Sequence, residues 1–67
     1  MVHKKKTIEA CMARLMAEII IEDDLPIHMD IGKSSEGCTD ILLSYNPEDE
    51  HAYQLLIEAI LEPIYSL

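Results

Sequence analysis

Residues 27–45 read IHMDIGKSSEGCTDILLSY and contain two short alternating runs separated by a polar loop. Apolar and polar residues alternate over 27–31, which is the pattern of a half-buried β-strand. In 38–45, Ile41, Leu43 and Tyr45 share one face, and Leu42 is an apolar exception on the other. The connecting segment 32–37 is polar and has a glycine at each end, as expected for a hairpin connection. This stretch therefore predicts an antiparallel β-hairpin.

Helical signals flank the hairpin on both sides. Before it, Thr7 is a suitable N-cap and apolar residues recur at three- and four-residue intervals, which predicts a helix over 7–22. After it, Asn46 is a favoured N-cap and Pro47 a favoured first helical residue. Three acidic residues follow, where they complement the positive end of a helix dipole, so a second helix is predicted over 47–62.

The fold class that follows is α+β, with two helices packed on one face of a two-stranded antiparallel hairpin in the order α-β-β-α. Residues 7–67 are expected to form this single domain, and residues 1–6, with the run His-Lys-Lys-Lys, a flexible basic N-terminal arm. A chain of 67 residues buries little surface, and an isolated hairpin is only marginally stable. We therefore expect a homodimer that extends the sheet or pairs the second helices.

The charge balance favours some partners over others. The chain has 13 acidic and 5 basic residues, a formal net charge of −8, and neither Trp nor Phe. Such a surface repels nucleic-acid phosphates and offers no stacking platform, so direct nucleic-acid binding is not expected. A larger protein with a basic, for example nucleic-acid-binding, surface is the favoured partner. The acidic surface predicted to meet it comprises Glu22, Asp23, Asp24, Asp30, Glu36, Asp40, Glu48, Asp49 and Glu50.

The second predicted helix has more apolar residues than one core-facing stripe needs. A helix that is apolar around most of its circumference requires cover on more than one side. The surplus positions, with the glutamates that border them, form a predicted partner-binding surface. It comprises Tyr53, Ile57, Glu58, Leu61, Glu62, Ile64 and Tyr65.

Motifs that carry chemistry are incomplete. The run Gly32-Lys33-Ser34-Ser35 matches the end of a phosphate-binding loop, but Ile27 stands where that loop requires glycine. The histidines lack the ligand spacing of a zinc site, and the acidic runs lack the alternating ligands and central glycine of a calcium loop. We therefore predict no catalytic residue, metal or cofactor, and do not expect an enzyme.

The cysteines and the hydropathy indicate a compartment. Charged residues interrupt any apolar signal-peptide core near the N-terminus, and no apolar run is long enough to span a membrane. Cytoplasmic location is therefore expected, with no membrane partner. In that setting Cys11 and Cys38 are expected to be reduced, buried thiols rather than a disulfide.

Three functional hypotheses fit these observations. The leading one is a non-catalytic regulator that acts stoichiometrically as an inhibitor or adaptor of a larger protein, of the kind that phages and mobile elements encode. The first alternative is a structural small subunit or dimerisation module of a larger assembly. The second is a DNA-mimicking inhibitor whose carboxylates imitate phosphates, which predicts binding that weakens steeply as the salt concentration rises.

Overall fold

The computed structural model describes residues 1–60, which form an α+β domain with one antiparallel sheet. In spatial order the strands are Val2–Glu9 (β1), Cys38–Tyr45 (β3) and His28–Ser35 (β2), so that β3 is central and both other strands are edges. Along the chain the elements are β1 (Val2–Glu9), α1 (Ala10–Glu22), β2 (His28–Ser35), β3 (Cys38–Tyr45), a 3-10 turn (Pro47–Asp49) and α2 (Glu50–Ile60).

The first strand corrects the expected architecture. Residues 1–6, expected as a flexible arm, supply most of β1, so the sheet has three strands rather than the two of a hairpin. The register places Val2 opposite Tyr45 and Glu9 opposite Cys38. Lysines suit an edge strand because their stems cover apolar surface while their charges stay in water. The helix expected from Thr7 accordingly begins at Ala10, after the end of this strand.

The hydrophobic core lies between the two helices and one face of β3. Alternate β3 residues point into it, and Leu43 is fully buried there. Because all the buried apolar strand residues share this face and both helices contribute to the same cluster, the helices pack on one face of the sheet. The buried apolar residues are Ile8, Ala13, Met16, Ile27, Ile41, Leu43, Tyr45, Tyr53, Leu56 and Ile60.

A stacked tyrosine pair joins β3 to α2. The rings of Tyr45 and Tyr53 lie 4.8 Å apart between centroids and 17° from parallel. The Tyr45 hydroxyl donates a 2.8 Å hydrogen bond to Glu50 Oε1, and the Gln54 amide donates to the other carboxylate oxygen. Burial raises the pKa of Tyr45 to about 12, and the negatively charged Glu50 carboxylate, which accepts the hydrogen bond from the Tyr45 hydroxyl, adds to this shift.

This raised pKa predicts a loss of stability at high pH. A tyrosine in the unfolded chain titrates near pH 10, so the folded state holds the Tyr45 proton more tightly between about pH 10 and 12. The free energy of unfolding should therefore fall with rising pH in this window, with a shallower fall for Tyr45→Phe. Urea unfolding of both proteins from pH 8 to 12 measures this, and equal slopes would contradict it.

Candidate protein-interaction surface

The two edges of the sheet differ in their side chains. The edge strand β1 carries three consecutive lysines, Lys4, Lys5 and Lys6, and charged residues of this kind oppose the addition of another strand. The edge strand β2 instead presents Ile31, whose side chain is 61% exposed. Within residues 1–60, β2 pairs only with β3, so its other edge is unpaired. We call β2 the open edge because its outer side is unpaired and it presents Ile31, although it also carries the charged residues Asp30 and Lys33.

An apolar groove runs beside the open edge, between the second half of α1 and β2. Its volume is about 260 Å³, and it is lined by Ala17, Ile20, Ile21, Ile27, His28, Met29 and Ile31. Ile21 is 78% exposed although it lies directly beside this apolar lining. Single exposed apolar residues are ordinary, but a contiguous apolar groove next to an unpaired strand is typical of an interaction surface.

The charges around this groove differ between its two ends. The helix α1 starts near the hairpin, where the Ala10 N–H donates a 2.8 Å hydrogen bond to the Gly37 carbonyl, and it ends near the start of β2. Arg14 and Lys33, the only basic residues outside β1, therefore lie toward the hairpin end of the groove. The acidic run 22–24 lies at the opposite end. With respect to Arg14, Lys33 and the run 22–24 the groove is bipolar, although Glu36 also lies at its hairpin end.

The acidic run 22–24 lies at the C-terminal end of α1, where acidic residues are electrostatically unfavourable. The C-terminal end of a helix carries partial negative charge, and basic residues stabilise it there. The last turn of α1 contains no basic residue, and Glu22 and Asp23 stand at its end. Acids at such a position lower the stability of the helix, and local conflicts of this kind are expected at functional surfaces.

The face of the sheet away from the helices carries two histidine pairs. His3 Nδ1 lies 2.9 Å from Ser44 Oγ, and His28 Nε2 lies 3.2 Å from Asp30 Oδ1. A nucleophile–base–acid relay needs one histidine that contacts both a hydroxyl and a carboxylate, whereas these contacts use different histidines. No group of three or more potential metal ligands occurs in the part of the chain that the structure describes.

The partner-binding surface predicted on the second helix is only partly described. Leu61, Glu62, Ile64 and Tyr65 lie outside residues 1–60. Tyr53 is buried against Tyr45, which corrects its expected place on an outer face. Ile57 is half-buried against the core, and Glu58 is exposed.

The predicted acidic residues do not gather into one surface. The runs 22–24 and 48–50 flank the end of the sheet where β3 ends and β2 begins. Glu36 lies in the hairpin at the opposite end, and Asp40 accepts a 2.7 Å hydrogen bond from Thr7 near the same end. Asp30 lies on the open face in contact with His28. The nine acids are thus divided between the two ends of the sheet and its open face.

Both cysteines are exposed, which corrects the expectation that they are buried. Cys38 lies opposite Glu9 in the sheet, and the Cys11 thiol lies 3.7 Å from the Glu9 carboxylate. Exposure follows from their places at the end of the sheet and the first turn of α1, outside the core.

Comparison with known proteins adds no relative from which a role could be carried over. No protein-family model matches the chain, and neither a curated protein nor a solved structure matches it. Among residues 1–60, no helix has the length and apolar character needed to cross a membrane.

Proposed function

We propose that this chain is a small non-catalytic protein-binding regulator that acts stoichiometrically as an inhibitor or adaptor of a larger protein. The observation that supports the proposal is the apolar groove beside the unpaired edge of β2. A segment that adds to such an edge gains main-chain hydrogen bonds, and a neighbouring groove selects its side chains. The groove and the edge are therefore the contact surface in this proposal.

Burial of the exposed isoleucines supplies the driving force in this proposal. Ile21 and Ile31 are both more than half exposed, and their removal from water contributes about 25 cal/mol for each Å² of apolar surface. The acidic run 22–24 at one end of the groove favours a partner with basic residues at that position. A basic protein, such as one that handles nucleic acid, meets this requirement.

The two alternatives receive unequal support. An assembly or dimerisation module would use the same groove, and the bipolar charge of its ends suits a self-complementary contact. DNA mimicry needs a continuous array of carboxylates. It receives less support because the predicted acids are divided and because Lys5 lies in the same cross-strand row as Asp30 on the open face.

Site-specific photo-crosslinking tests the proposed contact surface. A benzophenone amino acid replaces Ile21 in one variant and Leu15 in a matched control, since Leu15 is also exposed on α1 but points away from Ala17 in the groove. In a lysate of the cells that express the chain, we expect covalent adducts from position 21 and none from position 15.

The pattern of adducts separates the hypotheses. Adducts with a larger protein from the position-21 variant, and none from the position-15 variant, would support the regulator hypothesis. If the position-21 variant forms adducts only with a second copy of this chain, the result would support the assembly or dimerisation module instead. No adduct from position 21, or the same adducts from both positions, would contradict the groove as a protein-binding surface.

A further inference from the structure

We propose that the groove beside β2 is occupied by a second copy of this chain, through antiparallel pairing of the two β2 strands about a two-fold axis at Met29. The inference rests on the proposed function, since it takes the same groove and edge to be a protein contact, and it concerns the free chain, in which no larger protein occupies that contact. It adds the partner, the strand direction and the register.

The register about Met29 places complementary side chains opposite one another. On the helix side of the sheet, exposed Ile31 of one copy comes level with Ile27 of the other, which directly precedes β2 and is largely buried in its own core. On the open side, His28 meets Asp30, and the symmetry repeats both pairs. Within one chain His28 and Asp30 already share the open face at 3.2 Å, so both copies present the same imidazole–carboxylate set.

Neighbouring registers are less favourable for physical reasons. Pairing about Asp30 would place two carboxylates opposite each other, and like charges directly opposite are destabilising. Pairing about Ile31 would carry the contact into the irregularity between Ile31 and Ser34, where the ladder of β2 is broken. Such bulges terminate pairing. Of these three registers, the one about Met29 joins the regular first part of β2 without a charge conflict.

Basic residues at one end of the groove and the acidic run at the other favour contact with a second copy in the free chain. Antiparallel pairing places the hairpin end of the groove in one copy beside the acidic end of the groove in the other copy. Lys33 of one copy then lies toward the end of the contact at which the second copy has its acidic run 22–24. In the single chain Lys33 forms no ion pair with a carboxylate of residues 1–60.

The pairing also closes the assembly. It produces a six-stranded sheet in the order β1-β3-β2-β2-β3-β1, with a lysine-bearing β1 at each outer edge. Because the same surface is used on both copies, the contact is complete at two chains, whereas β1-to-β2 contacts would continue into a filament. The lysines on β1 oppose such growth.

Cysteine scanning along β2 tests the register, in a background in which Cys11 and Cys38 are replaced by serine. Residues directly opposite on antiparallel strands have Cα atoms about 4.5–5.5 Å apart, within the span of a disulfide. We expect Met29→Cys to form a covalent dimer with diamide, which accepts the two thiol hydrogens as the S–S bond forms. Asp30→Cys and Ile31→Cys should remain uncrosslinked, because neither residue lies opposite its own copy.

A second experiment uses only exposed positions, in case Met29→Cys fails to fold. Chains with His28→Cys and chains with Asp30→Cys are oxidised separately and as a mixture. The inference predicts a crosslinked dimer in the mixture alone.

The outcomes separate this inference from the proposed function. Crosslinking through Met29, or in the His28 and Asp30 mixture alone, supports the second copy. Crosslinking through Asp30 or Ile31 with none through Met29 overturns the register. No crosslinking of folded chains overturns the second copy as occupant, while the photo-crosslinker at Ile21 independently decides whether another protein takes its place.

Discussion

Deletion of residues 2–6 is expected to unfold the chain. These residues pair with 41–45 of the central strand, so their loss leaves β3 with one neighbour and a two-stranded sheet. Two strands are marginal in water, and the deletion also uncovers the edge beside Leu43 at the centre of the core. A chain of this length has a total stability of only about 3–10 kcal/mol. We expect loss of the cooperative urea transition and of most helical circular dichroism.

A matched variant distinguishes the effect of losing the β1 backbone from the effect of losing its lysine charges. Lys5→Gln with Lys6→Gln removes two charges but keeps the backbone that pairs with β3, so this protein should fold with a cooperative transition. A stable, cooperative deletion variant would contradict the three-stranded sheet and support a flexible arm over residues 1–6.

The substitution Ile31→Lys is expected to abolish self-association. The inferred pairing places Ile31 beside Ile27 of the second copy at two symmetric positions, so that each dimer would bury two new ammonium groups in an apolar contact. Burial of an unpaired charge costs far more than the contact can return. The folded chain should tolerate the change, since Ile31 is largely exposed in the single copy. Light scattering measures the effect, with Leu55→Lys on α2 as the exposed control.

The hairpin could be predicted because residues 27–31 alternate and because Ile41, Leu43 and Tyr45 mark one face of 38–45. The second strand agrees with the prediction at Cys38–Tyr45, and the face shared by Ile41 and Leu43 is the buried one. The first strand, β2, continues to Ser35, beyond the predicted end at residue 31. Its second half is polar on both faces, since an edge strand away from the helices needs no apolar alternation there.

The strand β1 was not predictable by the same rule. Its lysines hide the alternation, although Val2 and Ile8 share the helix-facing side of the sheet. A lysine run at a chain terminus is typical of a solvated tail, and it is equally compatible with a protected edge strand. Only the tertiary pairing with β3 distinguishes the two.

The candidate site was missed because periodicity identifies an apolar stripe on a helix without fixing its centre. The three- and four-residue apolar spacing that predicts a helix over 7–22 includes Cys11 and Leu15, both of which are exposed. The buried side of α1 is centred instead on Ala13 and Met16. A signal for the groove was present in the run 19–21, since consecutive β-branched residues around the end of a helix cannot all face one core.

Light scattering across a hundredfold dilution, with wild type beside Ile31→Lys, tests most directly whether the β2 edge is a protein interface. We predict a mass of about 15 kDa for wild type, which is twice the 7.6 kDa of one chain, and a single-chain mass for the folded variant. Leu55→Lys should retain the dimer mass. A single-chain mass for wild type at every concentration, or a dimer that Ile31→Lys leaves intact, would contradict the β2 edge as the site of self-association.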